Sequence, residues 1–214
     1  MAVITKIEEQ KNKKRVNIFV DDAFFCGLNK ETAVIFRLKV GSVVEESKLH
    51  EAIFESEVKS AFEKASEYLG SRMHTKKELF DKLLKKGYQK DVIKKAIDKL
   101  EEYHYVDDRL FSKHFITENK RYSKRMLENK LREKGINAEI IGNSIDEFMA
   151  DDEEYNLCLK QAEKYVKNKD MLQEGAYQKL LASLARKRFD FNIIKQVCKR
   201  VLSNEDADKI DDLE

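Results

Sequence analysis

Residue types that would interrupt or cross-link a chain are scarce here. The 214 residues include no proline and only seven glycines, so long helices can run without a built-in break. Three cysteines occur, at positions 26, 158 and 198, and their odd number and wide spacing argue against a disulfide framework or a zinc cluster. No apolar run approaches the ~20 residues of a membrane span, and the first residues lack the apolar stretch of a signal peptide. We expect a cytoplasmic protein with no membrane partner.

Sequence patterns that carry catalysis or hold cofactors are also missing. The glycines are too dispersed for a phosphate-binding loop, and no His-Glu-x-x-His sequence occurs. The carboxylate pair Asp107-Asp108 is better explained as a helix start than as an acid–base pair. The four histidines stand apart from one another: His50, His74, His104 and His114. The prediction is a protein that is not an enzyme, with no catalytic residue, cofactor or metal site.

Charge and a repeated apolar pattern are what the sequence does contain. Charged residues make up 38% of the chain, although the formal net charge is only +2. Residues 79–100 and 127–148 are two copies of one pattern separated by 48 residues, and a looser third copy at 180–201 follows at 53. The glycine of the first copy, Gly87, corresponds to Gly135 in the second copy and to Arg188 in the third. A period of this length indicates a modular helical array in which each unit shields its neighbour's apolar face.

Each repeat is predicted to form three helices. A Thr75-to-Glu78 capping box starts the second helix of repeat one, and Gly87 and Gly135 are expected to end second helices at positive φ. Leu83 and Leu131 then occupy equivalent inward positions. The predicted helices of repeat one are 56–69, 76–87 and 90–103. Those of repeat two are 108–119, 123–135 and 137–148. Those of repeat three are 154–166, 174–187 and 190–201. Asn137 and Asp190 are the predicted caps of the last helices of repeats two and three. The insertion in repeat three falls in the connection 167–173.

The first fifty residues differ in kind from the rest. Alternating and β-rich runs at 3–9, 15–20 and 23–26 predict a three-stranded meander, with a tight turn at Asp21-Asp22 and a possible short strand at Val43-Val44. Asn29 is a candidate cap for a helix over 30–38 that Gly41 would end. We expect this segment to be removable without unfolding the helical body. The predicted domains are 1–50, 51–105, 106–150 and 151–204, followed by an acidic tail at 205–214.

Two helices joined by a glycine turn are also typical of helix-turn-helix proteins, so a DNA-binding regulator is the alternative function. A base-reading helix needs Arg, Asn or Gln on the outer face of its first turn. The third helices instead begin with Gln89, Lys90 and Asp91 in repeat one and with Asn137, Ala138 and Glu139 in repeat two. Because their acidic residues would repel phosphate, sequence-specific reading is disfavoured.

Charges of opposite sign are segregated along the chain. Basic residues concentrate at 120–134 and 179–200, and acidic residues at 146–154 and in the tail. Basic second helices on successive repeats could form one positive stripe facing a nucleic-acid backbone or an acidic protein groove, or they could simply be solvated faces. Cations at the start of the second helix of repeat two oppose its macrodipole, so they do not stabilise that helix; a partner is one explanation and chance on a solvated face is the other. The candidate contact residues are Arg72, Lys76, Lys120, Arg121, Lys124, Arg125, Lys130, Arg132, Arg186, Lys187 and Arg188.

Three segments in fixed order resemble the RecX family of recombination regulators. They are Lys77-Glu78-Leu79 to Gly87-Tyr88, Tyr105-Val106-Asp107-Asp108-Arg109-Leu110-Phe111-Ser112, and Lys130-Leu131-Arg132-Glu133-Lys134-Gly135-Ile136. The match is clear over about 60–148 and weaker in the third repeat, where Arg188 replaces the glycine. The N-terminal strands resemble an extension found in some members.

The resemblance implies a mainly α fold, with tandem three-helix repeats in an elongated, curved body preceded by a small β-rich segment. It also implies a partner and a role: binding along the RecA filament on single-stranded DNA and inhibiting its ATPase and strand exchange. It transfers no catalytic residue. Direct contact with single- or double-stranded DNA is a further interaction that a positive stripe would allow, and the protein is expected to act as a monomer.

Overall fold

The computed structural model describes residues 2–167 and 175–202 and is mainly helical, as the sequence predicts. Its strands are β1 (Ala2–Glu9), β2 (Arg15–Val20), β3 (Ala23–Asn29) and β4 (Val43–Val44). Its helices are α1 (Lys30–Ile35), α2 (Glu46–Leu69), α3 (Lys76–Lys85), α4 (Lys90–Glu102), α5 (Asp108–Glu118), α6 (Lys124–Glu133), α7 (Ala138–Phe148), α8 (Asp151–Lys167), α9 (Ala176–Arg186) and α10 (Phe191–Val201). Residues 168–174 and 203–214 lie outside the described residues, and with them lie all but the first residue of the predicted insertion at 167–173 and the whole predicted acidic tail at 205–214. The chain forms two compact units, Met1–Asp107 and Asp108–Glu214.

The N-terminal strands form one antiparallel sheet in the order β3-β2-β1-β4. Asp21 and Asp22 both take positive φ, 48° and 65°, in the tight turn between β2 and β3, as expected for a two-residue hairpin loop. The helix that follows is shorter than predicted, because it ends at Ile35 and Arg37 turns the chain at φ 51°, well before Gly41. Asn29 does precede this helix, but its side chain makes no capping hydrogen bond.

Capping side chains start four of the helices, and three of these caps, Thr75, Asn137 and Asp190, were predicted from the sequence. Thr75, Ser123 and Asn137 each accept a hydrogen bond from the backbone N–H three residues later, at 3.1, 3.3 and 2.8 Å. Asp190 accepts one from Asn192 N at 2.9 Å. These side chains satisfy backbone donors that the first turn of a helix leaves without partners. Local sequence therefore determines where α3, α6, α7 and α10 begin.

The second helices end as the repeat pattern predicts. Gly87 and Gly135 follow α3 and α6 at φ 92° and 83°. Arg188, at the equivalent place after α9, adopts φ 60° although it is not glycine. The three connections thus share one left-handed backbone conformation. The apolar positions before them are inward, since Leu83, Leu131 and Leu184 are all buried.

A buried ion pair joins the sheet to the first repeat. Arg15 on β2 donates to Glu57 Oε2 on α2 at 2.8 Å, and the two side chains are 1% and 2% exposed. Arg15 also donates to Asn29 Oδ1 and to the Gly27 carbonyl, both at 3.0 Å. The other oxygen of Glu57 accepts from Asn29 N at 2.7 Å and from the Thr32 hydroxyl at 2.9 Å. The charges are therefore compensated inside the unit.

This junction changes the expectation that the N-terminal segment can be removed. Helix α2 begins at Glu46, ten residues before the predicted start near 56, and Ile53 on it packs into the apolar core of the sheet. Asn12 Nδ2, in the β1–β2 loop, donates to the Lys86 carbonyl at 2.7 Å. A chain starting near residue 49 would lose the partner of Glu57 and part of this core, so we now expect truncation to destabilise the first repeat. The division into the sequence-predicted domains stays a prediction.

The second unit contains one apolar cluster around Leu127, Leu131 and Ile141, and another around Leu180, Leu184 and Ile194. Cys158 and Cys198 belong to the latter, and Cys26 to the sheet core. All three thiols are free and buried, and burial raises the pKa of Cys26 and Cys158 to about 12 and that of Cys198 to about 11. Because the thiolate is the reactive form, these residues act as core side chains.

Candidate functional site

The structure brings the start of α6 together with the end of α9 in the second unit. The Ser123 hydroxyl, which caps α6, also donates to the Lys187 carbonyl at 2.7 Å and is 1% exposed. Lys124 and Arg125 on α6 therefore lie near Lys187 and Arg188 after α9. Two of the basic segments that the sequence placed in successive repeats meet at this contact.

Acidic side chains of the third repeat bind the cations at this helix start. Arg125 Nη2 lies 3.1 Å from Asp190 Oδ2, and Lys120 Nζ lies 2.9 Å from Glu153 Oε1. The backbone N–H of Lys124 donates to Glu154 Oε1 at 3.1 Å. Burial raises the pKa of the Glu154 carboxyl, and the Lys124 N–H opposes that shift. These contacts join repeat two to repeat three.

These ion pairs offer a further explanation for the cations at the start of α6. The cations do oppose the dipole of α6, but Lys120 and Arg125 contact acids of the next repeat, so their position has a structural explanation. Changing Lys120, Arg121, Lys124 and Arg125 together to glutamate would replace the ion pairs of Lys120 and Arg125 by repulsion. We expect such a variant to have a lower thermal midpoint than the wild type.

A cationic group around one tyrosine lies on the same part of the unit. The Arg121 guanidinium is 5.1 Å from the centre of the Tyr122 ring, and Lys130 Nζ is 4.9 Å from it. Arg121 also lowers the pKa of the Tyr122 hydroxyl through a 3.5 Å hydrogen bond. Among the side chains that the structure describes, neither Arg121 nor Lys130 forms an ion pair. These three residues, called the Tyr122 group below, offer positive charge and an aromatic ring together.

The remaining predicted contact residues have other surroundings. In the first unit, Arg72 pairs with Glu78 at 3.0 Å, and Lys76 pairs with Glu101. On α6, Arg132 donates to Asn129 at 3.4 Å. After α9, Lys187 donates to Gln161 and Arg186 to the Ala182 carbonyl at 3.2 Å, while Arg188 is exposed at the turn. The structure places Arg72 and Lys76 in a different unit from the others, and the predicted contacts stay a prediction.

The sequence interpretation missed two features that the structure shows. Tyr122 was not among the predicted contact residues, although its position inside a run of five nearby cations is the signal of a basic patch with an interleaved aromatic ring. The Arg15–Glu57 pair was also missed, because its members are 42 residues apart and no periodic pattern connects them. Both depend on side chains meeting in space.

The first turns of the third helices of repeats one and two carry acidic residues, which disfavour contact with DNA. Asp91 and Glu139 occupy the first turns of α4 and α7, as the sequence indicated. Among the described residues, no group of three or more His, Cys, Asp and Glu is placed to hold a metal ion. No helix in those ranges combines the length and the apolar character that crossing a bilayer requires.

Comparison with known proteins gives consistent matches. The profile of the regulatory protein RecX N-terminal domain matches residues 2–45, and that of the RecX first three-helix domain matches residues 61–100. A regulatory protein RecX of Clostridioides difficile (strain 630) is 32% identical over 212 residues, 97% of this chain and 100% of the relative. The regulatory protein RecX of Bacillus subtilis (strain 168) is 31% identical and covers 97% of this chain and 80% of its own. A crystal structure of a regulatory protein RecX superposes with a TM-score of 0.63 at 22% identity, covering 92% of this chain and 98% of the other.

Fold and surface together define a tandem helical-repeat protein with a small sheet packed on its first repeat. The exposed Arg121 and the half-buried Tyr122 and Lys130 are groups suited to binding. The similarity over nearly the whole length then identifies the family: the chain belongs to the RecX family of regulatory proteins.

Proposed function

We propose that this chain regulates the RecA recombinase by binding the RecA filament on single-stranded DNA and inhibiting its ATPase and strand exchange. The observation that carries the proposal is membership of the RecX family over nearly the whole chain. The relatives bear the name of regulatory proteins, which agrees with a binding role. The RecX repeats would supply the surface that contacts the filament.

The Tyr122 group is the part of that surface we propose for the contact. Arg121 and Lys130 have no ion pair within the described ranges, so binding a phosphate or a carboxylate would not first require breaking one. An aromatic ring beside cations is suited both to stacking on a base and to packing in a protein interface. Lys120 and Arg125 are poorer candidates, because acids of the third repeat already hold them.

The direct test is a RecA ATPase assay on single-stranded DNA with this protein added in increasing amounts. We expect inhibition at protein concentrations well below that of RecA, because a bound regulator would block filament growth for many subunits. Inhibition should weaken as salt is raised if phosphates or acidic walls of the filament are contacted. No effect on ATP hydrolysis even at equimolar protein would refute the proposal.

A pair of charge reversals tests the Tyr122 group. The variant Arg121→Glu/Lys130→Glu should need about tenfold more protein for half-inhibition, because two attractive charges become repulsive. The matched control is Lys94→Glu/Lys95→Glu, which makes the same charge change at exposed positions of α4. Equal inhibition by both variants would remove the Tyr122 group from the contact while leaving RecA regulation intact.

A further inference from the structure

A groove of about 820 Å³ lies in the first unit, between the sheet and helix α1. Ile7 on β1, Val16 on β2, and Ala33 and Leu38 on the α1 side give it an apolar lining. Val34 on α1 also lines it and is 75% exposed. The groove is therefore large enough and apolar enough to take one or two aliphatic side chains.

The same groove adjoins a stretch of sheet edge that has no strand partner among the described residues. β4 pairs only with Ala2 and Val3 of β1, and the Ile4 backbone bonds with Gly41 and Ser42. From Thr5 to Glu9, the structure gives β1 a strand neighbour on the β2 side alone. Ile7 and Glu9 belong to this stretch and also line the groove. An unpaired edge beside a pocket is the arrangement that extended peptides use when they add a strand to a sheet.

The charged side chains around the groove favour a partner of negative charge. Lys30, Arg37 and Lys39 line it, and Glu9 is the acidic residue among its lining side chains. Glu9 is already paired with Lys30. Within the part of the chain that the structure describes, Arg37 and Lys39 form no ion pair. The rim therefore carries excess positive charge and complements an acidic segment.

We propose that this edge binds an extended acidic peptide of a partner protein, which adds a strand beside Thr5–Glu9 and places an aliphatic side chain in the groove. Backbone hydrogen bonds to β1 would supply the strand pairing. Carboxylates flanking the aliphatic residue would meet Arg37 and Lys39. This site is separate from the Tyr122 group and does not depend on the function proposed above.

The test uses the full chain and a fluorescent peptide of sequence Glu-Asp-Val-Ile-Val-Asp-Glu, with binding followed by fluorescence anisotropy. Two matched peptides isolate the two sources of recognition. In one, lysines replace the four acids. In the other, alternate backbone nitrogens are methylated, which removes strand-forming donors without changing charge. We expect at least about a tenfold loss of affinity for each, because charge complementarity and strand pairing both contribute.

Protein variants locate the site. Arg37→Glu/Lys39→Glu should weaken binding of the acidic peptide by about tenfold or more and improve binding of the lysine peptide. The control Lys11→Glu/Lys13→Glu changes the same charge at exposed positions of the β1–β2 loop and should leave affinity within about twofold. Circular dichroism of each variant checks that it is folded, and amide NMR shifts on peptide addition should concentrate in β1.

Several results would overturn the proposal. One is failure of the acidic peptide to bind at millimolar concentration, and another is equal binding by the two double variants. A concentration-dependent dimer that Arg37→Glu/Lys39→Glu abolishes would make a second copy of the chain the occupant. A chain lacking residues 203–214 that binds the peptide about tenfold more tightly would make the chain's own acidic terminus the occupant.

Discussion

The carbonyls of Lys86 and Lys187 occupy equivalent positions at the ends of α3 and α9, and each accepts a side-chain hydrogen bond of 2.7 Å. The donor in the first unit is Asn12, in a loop of the sheet. The donor in the second unit is Ser123, which caps a helix of the preceding repeat. A helix end leaves carbonyls without partners, so the same backbone feature of the repeat can receive either a strand loop or another repeat.

The two contacts differ in the charges that accompany them. The sheet contact contains the buried Arg15–Glu57 pair, whereas Arg125–Asp190 and Lys120–Glu153 in the second unit are 36–61% exposed. Exposed pairs contribute little because water and salt screen them, but breaking a buried pair leaves an uncompensated charge. The comparison therefore predicts a junction in the first unit that is far more sensitive to single substitutions.

Removing the buried carboxylate should have the largest effect. Glu57→Ala leaves Arg15 buried without its acid and should lower the free energy of unfolding by about 3–5 kcal/mol. Urea denaturation followed by circular dichroism measures this. Glu55→Ala is the matched control on the same helix, because its pair with Lys99 is exposed and should contribute at most about 1 kcal/mol. Equal losses in the two variants would contradict the contrast between buried and exposed pairs.

The left-handed turns provide a second comparison. A Cβ at Gly87 would lie 2.7 Å from Arg15 Cδ, and the residue has φ 92°. Gly87→Ala should therefore destabilise by more than the ~1 kcal/mol that positive φ alone costs, because Arg15 is held by its hydrogen bonds. Arg188→Gly should stabilise the second unit by up to about 1 kcal/mol, since the native residue already bears that strain. Thermal unfolding of both variants tests this. If Arg188→Gly is less stable than the wild type, the contacts of the arginine side chain contribute more stability than its strained backbone costs.

Removing either side chain that donates to the equivalent carbonyls of Lys86 and Lys187 should have a smaller effect on the free energy of unfolding. Ser123→Ala removes both the α6 cap and the bond to Lys187, and it should cost about 0.5–2 kcal/mol. Asn12→Ala removes an exposed hydrogen bond, so we expect a loss of about 0.5–1 kcal/mol or less. Chemical denaturation of the two variants gives the comparison. A larger loss of stability for Asn12→Ala would show that the hydrogen bond of the β1–β2 loop contributes more than the contacts of Ser123.

The smallest expected effect is a pH dependence at the contact between the second and third repeats. Burial raises the pKa of Glu154 above its ordinary value of 4.5. The unfolded chain then releases this proton first, so the stability contributed by the neutral carboxyl is fully present below pH 4.5 and is lost as pH rises through the raised pKa. Glu154→Gln keeps an acceptor for the Lys124 N–H and lacks this titration.

The free energy of unfolding of the wild type and of Glu154→Gln should therefore be measured at several pH values. As pH increases, we expect the wild type to lose stability relative to the variant. The opposite slope would mean that the N–H and the positive end of α6 outweigh the burial of the carboxylate.

Local sequence was sufficient for most helix boundaries. Thr75, Ser123, Asn137 and Asp190 begin helices where predicted, because a capping side chain bonds to a backbone donor two or three residues away. The start of α2 was missed by ten residues, because contacts with the sheet extend the helix beyond the region where its own pattern is clear. Local patterns predict best where the partners are near in sequence.

By itself, the sequence determined the mainly helical fold, the repeat spacing, the left-handed turns at Gly87 and Gly135, and the resemblance to the RecX family. Those properties follow from residue type and short-range spacing. Only the tertiary structure decided that Arg15 meets Glu57, that Arg125 pairs with Asp190, and that part of β1 has, among the described residues, no strand partner on the side of a groove. These depend on residues far apart in the chain, whose meeting is set by packing rather than by any local preference.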